Sequence, residues 1–551
     1  MTRTVIIVGS GPAAVGAALG AIQHPDVQVT VLDVGARLEE GSVQALTRLA
    51  GAPQPQWDPL DVATVSQRPV ALTGHALPQK RAFGSDFPFR DFGQRQGLSV
   101  LDGINDATIS GAYGGFSNAW GAQFMPFTAA TLRRWPISPD EMYRHYRRIV
   151  QHIPYAAERD DLADLFPLLE HADPLPPLSQ RSDAVLSRYA RHRDRLNRRG
   201  VVLGRARLAL QASACVRCGL CMTGCPYSLI YSAAQTMDQL RDRSQITYRD
   251  GLLAVSVNDE ADSASVVATD LETGRRLRFT ADRVLLACGA VGTSRLVMGS
   301  LGLFDTPAEV SESAQFILPF LSTRPVDDPR QLPDFTLNQF NMIVKLDDEG
   351  HDLSQLHFYT YDSAFVDALP HIIRRHGARI PLTQLLRRLS IALGYLPSWE
   401  SPTFVLRAHR PAAPDSLPAL TVSRSAERSA FVKNAMLRNV LCRVSSAAPA
   451  LDLWPVLPAL RMSAEGKSYH WGGVFPHSQR PQGRFSSDTL GRVAPWKRVH
   501  LVDSSVLPTI AATTFALTVM ANAHRISDTI LTELAYDDEK VDIDPDTAGV
   551  A

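Results

Sequence analysis

Four of the six cysteines in this 551-residue chain fall in one stretch, CVRCGLCMTGCP, at Cys215, Cys218, Cys221 and Cys225. The spacing C-x2-C-x2-C-x3-C-P is the one that wraps an iron–sulfur cluster in bacterial ferredoxins. Thiolates so close in sequence meet at one cluster only if the loop curls. Gly219 and Gly224 permit the curl, and Pro226 fixes its exit. One such run predicts a 3Fe-4S cluster on three thiolates, or a 4Fe-4S cluster with a fourth ligand bent in or brought from elsewhere. Zinc is disfavoured, because structural zinc sites separate their two knuckles by about a dozen residues or more. A disulfide is disfavoured in a reducing compartment. The competing reading is four reduced thiols packed together. Cys288 and Cys442 read as core residues.

A second chemistry stands near the N-terminus, in Gly9-x-Gly11-x-x-Ala14 with Pro12 and Ala13 inside it. Gly9 allows a tight turn, Gly11 lets the backbone approach a pyrophosphate, and the small Ala14 lets a helix pack on its strand. The helix N-terminus then stabilises the phosphates. Asp33, 24 residues past Gly9, is placed to bind the adenosine ribose hydroxyls. This unit predicts a dinucleotide but does not decide between FAD and NAD.

The elements that must position these groups follow from the pattern around them. Thr4 to Val8 is a continuous apolar β-rich run, Val15 to Ile22 a small-residue helix, and Val27 to Asp33 a second parallel strand. Residues 36 to 110 carry many Pro and Gly and little periodicity, and read as a long excursion over the sheet or cofactor. Gly111 to Gln123 is a Gly-rich loop. ISPDEMYRHYRRIVQHI predicts a helix with Ser138 or Asp140 near its N-cap. Past the cysteine loop, strands alternate with a turn at Thr273-Gly274, and RVLLACGAVGTSRLV predicts a buried strand running into a helix. Residues 310 to 480 read as a second, substrate-facing part, with a basic amphipathic helix around Leu369 to Leu393. VHLVDSSVLPT predicts a strand and turn, and FALTVMANAHRISDTIL a closing helix. The acidic tail after Glu533 is expected to fray.

Composition narrows the class. Apolar residues make up 45% and charged residues 20%, so the chain can bury a large core. Formal net charge is zero, which argues against nucleic acid or an anionic membrane as main partner. No apolar run is long enough to span a bilayer and no signal peptide is visible, so the expected location is the cytoplasm. The alternative is export in folded form with a signal-bearing partner. Membrane association is expected only through such a partner.

The succession GGFSNAWG, WPIS, HYRRI, VLLACGAVGTSRLV, HWGG and LVDSSVLPTIAATTFALTVMANAHRISDTIL resembles the ordered blocks of the glucose–methanol–choline (GMC) oxidoreductases over nearly the whole chain. The resemblance implies FAD and an α/β fold (α+β overall). A discontinuous Rossmann-like FAD-binding domain would be joined to a substrate domain on a mostly antiparallel sheet with helices. Residues 1–310 would form the first domain with the cysteine loop (about 211–232) inserted. Residues 311–484 would form the substrate domain, 485–540 would return to the FAD domain, and 541–551 would be a flexible tail. Gly114, Gly115, Asn118 and Gly289 would approach the flavin, as would Asp503 and Ser504 to Pro508. A helix from about Phe515 would aim its N-terminus at the isoalloxazine.

His470 in SYHWGG matches the family's catalytic-histidine block. An imidazole there would take the hydroxyl proton as hydride leaves for flavin N5. The family's second His or Asn is replaced here by Thr514, which can hydrogen-bond a substrate hydroxyl but is no base near neutral pH. His477 reads as a supporting or surface residue. CMTGCPYSLIYSAA is similar to the cysteine segment of the bacterial FAD-dependent glucose, sorbitol and gluconate dehydrogenases, which carry a three-iron cluster beside the flavin. It also resembles a block in cholesterol oxidase-like members without a cluster. The resemblance therefore implies a dehydrogenase for a sugar, polyol or sugar-like alcohol that passes electrons to an acceptor protein or quinone. The alternatives are an oxygen-using alcohol or sterol oxidase with packed cysteines, and a non-catalytic electron-transfer or redox-sensing flavoprotein.

Overall fold

The computed structural model describes residues 2–66, 81–90, 98–100, 109–170, 172–331, 335–359, 381–411, 416–425, 430–463, 466 and 468–541. The apolar N-terminal run forms strand β1 (Arg3–Val8), followed by helix α1 (Pro12–Ala21) and strand β2 (Val27–Leu32). Strands β3 (Ile246–Arg249) and β4 (Arg283–Leu286) join them, and Val499–Leu501 closes the far edge. The order across the sheet is Val499–Leu501, β4, β1, β2, β3, all parallel. A strand from the chain's last tenth thus pairs beside one that leads into the Gly289 helix.

Alternation explains why β1 is apolar from Val5 to Val8. Val5 and Ile7 enter one core with α1, whereas Ile6 and Val8 enter another on the opposite face. The first face carries α1, helix α2 (Pro139–Val150) and the closing helix, all represented in that core. Ser138 caps α2 by accepting from the Glu141 N–H at 3.2 Å, with Pro139 at the first helical position. The second face is covered by helix α3 (Gly289–Ser300) and an antiparallel sheet of Leu252–Asp259, Ala264–Asp270 and Arg276–Ala281. Gly274 turns that sheet at φ +72°.

The other large layer is a seven-stranded sheet. Strands β5 (Asn338–Lys345), β6 (Leu353–Tyr359) and β7 (Leu389–Tyr395) form its centre, with β5 pairing to Val201–Arg205 and β7 to Gln315–Leu321, all antiparallel. One face buries Phe316, Phe320, Phe340 and Phe358 against the helices Gln180–Arg198 and Ala430–Leu451. The class is therefore a mixed α/β fold with a parallel dinucleotide-type sheet and a mostly antiparallel second sheet, as expected.

The excursion over residues 36–110 includes the helices Glu40–Ala50 and Pro59–Ser66. Three expectations are corrected. Of the expected helix around Leu369 to Leu393, residues 369–380 lie outside the described residues. Leu382–Leu386 is helical as expected, but the end is the strand β7, because two neighbouring strands offer a ladder on each side and its residues alternate between sheet faces. The closing helix α4 runs Ala516–Val541, past Glu533, since neither Gly nor Pro interrupts that stretch. Cys442 is exposed rather than core.

Candidate active site beneath two parallel helix ends

The glycines of the N-terminal motif do different work. Gly9 sits at φ +107°, and a Cβ there would come within 2.6 Å of the Ala287 carbonyl oxygen. The loop after β1 and the loop after β4 therefore touch through backbone. At Gly11 a Cβ would meet only Gly115 Cα, at 3.9 Å, and at Gly289 it would meet nothing within 4 Å. Open space thus lies in front of the starts of α1 and α3. A helix N-terminus with open space before it is where a phosphate can be accepted. Pro12 and Ala13 open α1, and Ala14 is wholly buried against its neighbours.

Helix α4 reinforces this end. A Cβ at Gly16 would strike Met520 O at 2.2 Å, and one at Gly20 would reach His524 O at 2.7 Å. Residue numbers rise together along the contact, so α1 and α4 run in the same direction and point both positive ends the same way.

Ser10 ties the cradle together. Its hydroxyl donates to Asp33 and accepts from the Gly114 N–H at 2.9 Å, while Tyr248 donates to Asp33 at 2.9 Å. Burial pushes Asp33 up to about 6. Gly114 (φ +87°) leaves no room for a side chain against Ala234. Asn118 braces the same loop. Its Nδ2 donates to the carbonyls of Tyr113 and Gly115, both at 2.8 Å, and its Oδ1 accepts from Ser232 at 3.0 Å. Asp503 is buried below α3, where it accepts from Thr293 and from the Ser505 N–H; burial raises it. The Ser504 carbonyl accepts from the Gly473 N–H at 3.0 Å.

That last contact brings His470 into place. A Cβ at Gly472 would lie 2.4 Å from Ser504 O, so the glycines of HWGG let this segment run along Ser504–Val506. The preceding turn is anchored by buried Glu312, which accepts from Ser468 Oγ at 2.6 Å; Ser468 Oγ in turn accepts from the His470 N–H at 3.1 Å. Tyr469, at φ +55°, packs on Phe89 and Phe116, one residue past Gly115. The His470 ring lies nearly parallel to Tyr395, 5.0 Å centroid to centroid, and edge-on to Phe515 at 5.0 Å. Its Nδ1 is buried with no partner among the described residues, and burial lowers the ring to about 4. Thr514 donates to the Gln123 carbonyl at 3.1 Å. His477 is buried, bonded to the Asp488 carbonyl at 2.6 Å and to Asn522 at 3.1 Å.

The sequence did not single out the polar face opposite. Gln355, His357 and Tyr359 alternate along β6, with Asn338 and Asn341 on β5. Asn341 Oδ1 accepts from Gln123 Nε2 and Asn338 Nδ2, both at 2.7 Å. His357 and Tyr395 have ring centroids 5.0 Å apart. Gln123 Oε1, Asn338 Oδ1, Gln355 Oε1 and His357 Nε2 are buried with no partner among the described residues. Such atoms cost about 1–3 kcal/mol each, and an uncharged cluster of them marks a functional surface. The available signal was polar residues at every second position of a strand otherwise buried throughout.

The cysteine loop adjoins both halves. Arg217, Gly219, Gly224 and Ser228 take positive φ and curl it. Cys215, Cys218, Cys221 and Cys225 converge closely enough that each thiol of the first three is raised by the charge of another. Burial is the larger cause, and it pushes Cys218 to about 11 and Cys221 to about 12. No three of these sulfurs lie mutually within 4.8 Å. Trp120 Nε1 donates to Tyr231 O at 2.7 Å, and Thr336 Oγ1 to Gly219 O at 3.3 Å. The first contact leads to the Gly114 loop and the second to the start of β5. Cys288 lies apart, its Sγ 3.6 Å from Val8 O.

No family model matches the chain, and no curated protein matches it. Among solved structures, pyridoxine 4-oxidase from Mesorbium loti aligns with a TM-score of 0.59 at 13% identity, over 96% of this chain and 99% of that one. A formate oxidase variant from Aspergillus oryzae RIB40, studied for its FAD modification, aligns with a TM-score of 0.59 at 14% identity, over 96% and 98%. The chain therefore shares the overall fold of these two structures.

Proposed function

We propose that this chain is an FAD-dependent oxidoreductase that acts on the CH–OH group of a sugar, polyol or similar alcohol, with His470 accepting the hydroxyl proton. The observation that carries the reading is the position of His470. It is held on the segment that runs along Ser504–Val506, between Tyr395 and Phe515, and faces an uncharged polar sheet. Bound FAD would supply the hydride acceptor. Gly11 and the starts of α1 and α3 would hold its pyrophosphate, and Asp33 its ribose. A neutral imidazole suits proton abstraction, and burial keeps His470 neutral near pH 7. Gln355, His357 and Asn341 would fix the other hydroxyls, and Thr514 would hold the loop that carries Gln123. Cys215, Cys218, Cys221 and Cys225 would hold an iron–sulfur cluster, which supplies one-electron exchange with an acceptor protein or quinone.

A second reading, an oxygen-using oxidase with packed thiols, is favoured by the names of the two structural neighbours, both oxidases. Anaerobic purification with flavin, iron and sulfide quantified, followed by an anaerobic alcohol screen, separates the two. Flavin together with iron and sulfide, and flavin bleaching by an alcohol, is the expected result. Flavin without iron, with rapid peroxide formation in air, would select the oxidase. A chain that binds no flavin would overturn both.

A further inference from the structure

A separate group of imidazoles lies between α2 and α4. His145 and His524 face each other with their Nδ1 atoms 3.1 Å apart. Asp528 follows His524 by one helical turn on the same face. That i, i+4 spacing is the one that places two metal ligands side by side on a zinc-protease helix. One donor atom from each of the three residues lies within 4.8 Å of the other two. His24, in the turn after α1, bonds Asp528 Oδ1 through Nε2 at 3.1 Å. A cation-bound carboxylate is commonly steadied by such a hydrogen bond.

Two ring nitrogens this close must share either a proton or a cation. Metal–nitrogen bonds of about 2.0–2.1 Å place neighbouring nitrogens about 3.0–3.4 Å apart, which brackets the observed separation. Arg525 does not compete for Asp528. It is committed to Asn522, to the Thr489 carbonyl and to Glu141. The charges of Arg144, Arg148 and Arg525 act on the two rings and weaken cation binding without blocking it.

We propose that His145, His524 and Asp528, with His24 steadying the carboxylate, bind one zinc-class divalent cation. The cation clamps α2 and α4 to the end of α1, about 12 Å along α4 from its start. The inference stands independently of the alcohol chemistry.

Chelator-treated full-length protein is titrated with cobalt(II), followed by zinc competition and thermal unfolding. Cobalt absorption without a thiolate charge-transfer band is expected, unchanged in a Cys215→Ser, Cys218→Ser background. His145→Ala and Asp528→Asn should each weaken binding by roughly tenfold or more and abolish the zinc-induced rise in unfolding temperature. Asp528 is partly exposed, so its variant keeps the test valid if His145→Ala does not fold. Equal cobalt binding by wild type and Asp528→Asn, or no binding by wild type below millimolar metal, would overturn the proposal and leave the pair a hydrogen bond.

Discussion

Gly16 of α1 lies against the backbone of Met520 in α4, so closely that any side chain at position 16 would occupy the Met520 carbonyl. This contact holds the two helix starts side by side over the cofactor ground. Gly16→Ala should cost more than the roughly 1–3 kcal/mol of ordinary overpacking, because backbone must move. Urea unfolding and flavin content measured together check this. A stable variant with full flavin would show that the helix approach is unimportant.

Asp33 gives a pH signature. Burial holds its carboxyl at about 6 in the folded chain, above the ordinary 3.8. Between those values the folded state keeps a proton that the unfolded state has released. Stability of the flavin-free protein should therefore fall as pH rises through that window, by up to about 3 kcal/mol, and level off above it. Asp33→Asn should flatten the slope while weakening FAD binding roughly tenfold or more. An unchanged slope in chemical denaturation would remove Asp33 from this role.

The cysteine loop predicts a split between two losses. Cys221→Ala should abolish iron and sulfide but keep flavin and its anaerobic reduction by alcohol. Turnover with one-electron acceptors should fall. In cluster-free protein, exposed Cys442 should be alkylated well before Cys218 and Cys221, whose thiols burial keeps protonated at neutral pH. Undiminished acceptor turnover in Cys221→Ala would place the electron exit elsewhere.

On the polar sheet face, Gln355→Leu and His357→Leu should raise KM for the alcohol by roughly five- to 100-fold, with flavin content unchanged. Steady-state kinetics on flavin-loaded variants test it. Wild-type constants in both would show that the substrate lies elsewhere.

Much of this was legible because it is local. Thr4 to Asp33 declared strand, turn, helix and strand within one short unit, and Ser138 and Pro139 marked the start of α2. HWGG pointed to His470, although only the fold shows that its glycines exist to pass the Ser504 backbone. Other parts were illegible because distant segments decide them. His357 and Gln355 matter through strands and loops far away in sequence, and Leu389–Tyr395 becomes strand because two neighbours await it. Gly16 and Gly20 read as small helix residues, whereas their meaning lies some 500 residues later at Met520 and His524.

The central claim is that His470 takes the hydroxyl proton. Anaerobic rapid-mixing of flavin-loaded wild type and His470→Ala with the best alcohol reads this directly as the rate of flavin bleaching. The account predicts a fall of roughly 100- to 10,000-fold with little change in flavin binding. It also predicts a wild-type rate that is level near neutrality and drops only as pH approaches the value of about 4 to which burial lowers the ring. A His470→Ala protein that bleaches its flavin at the wild-type rate would contradict it.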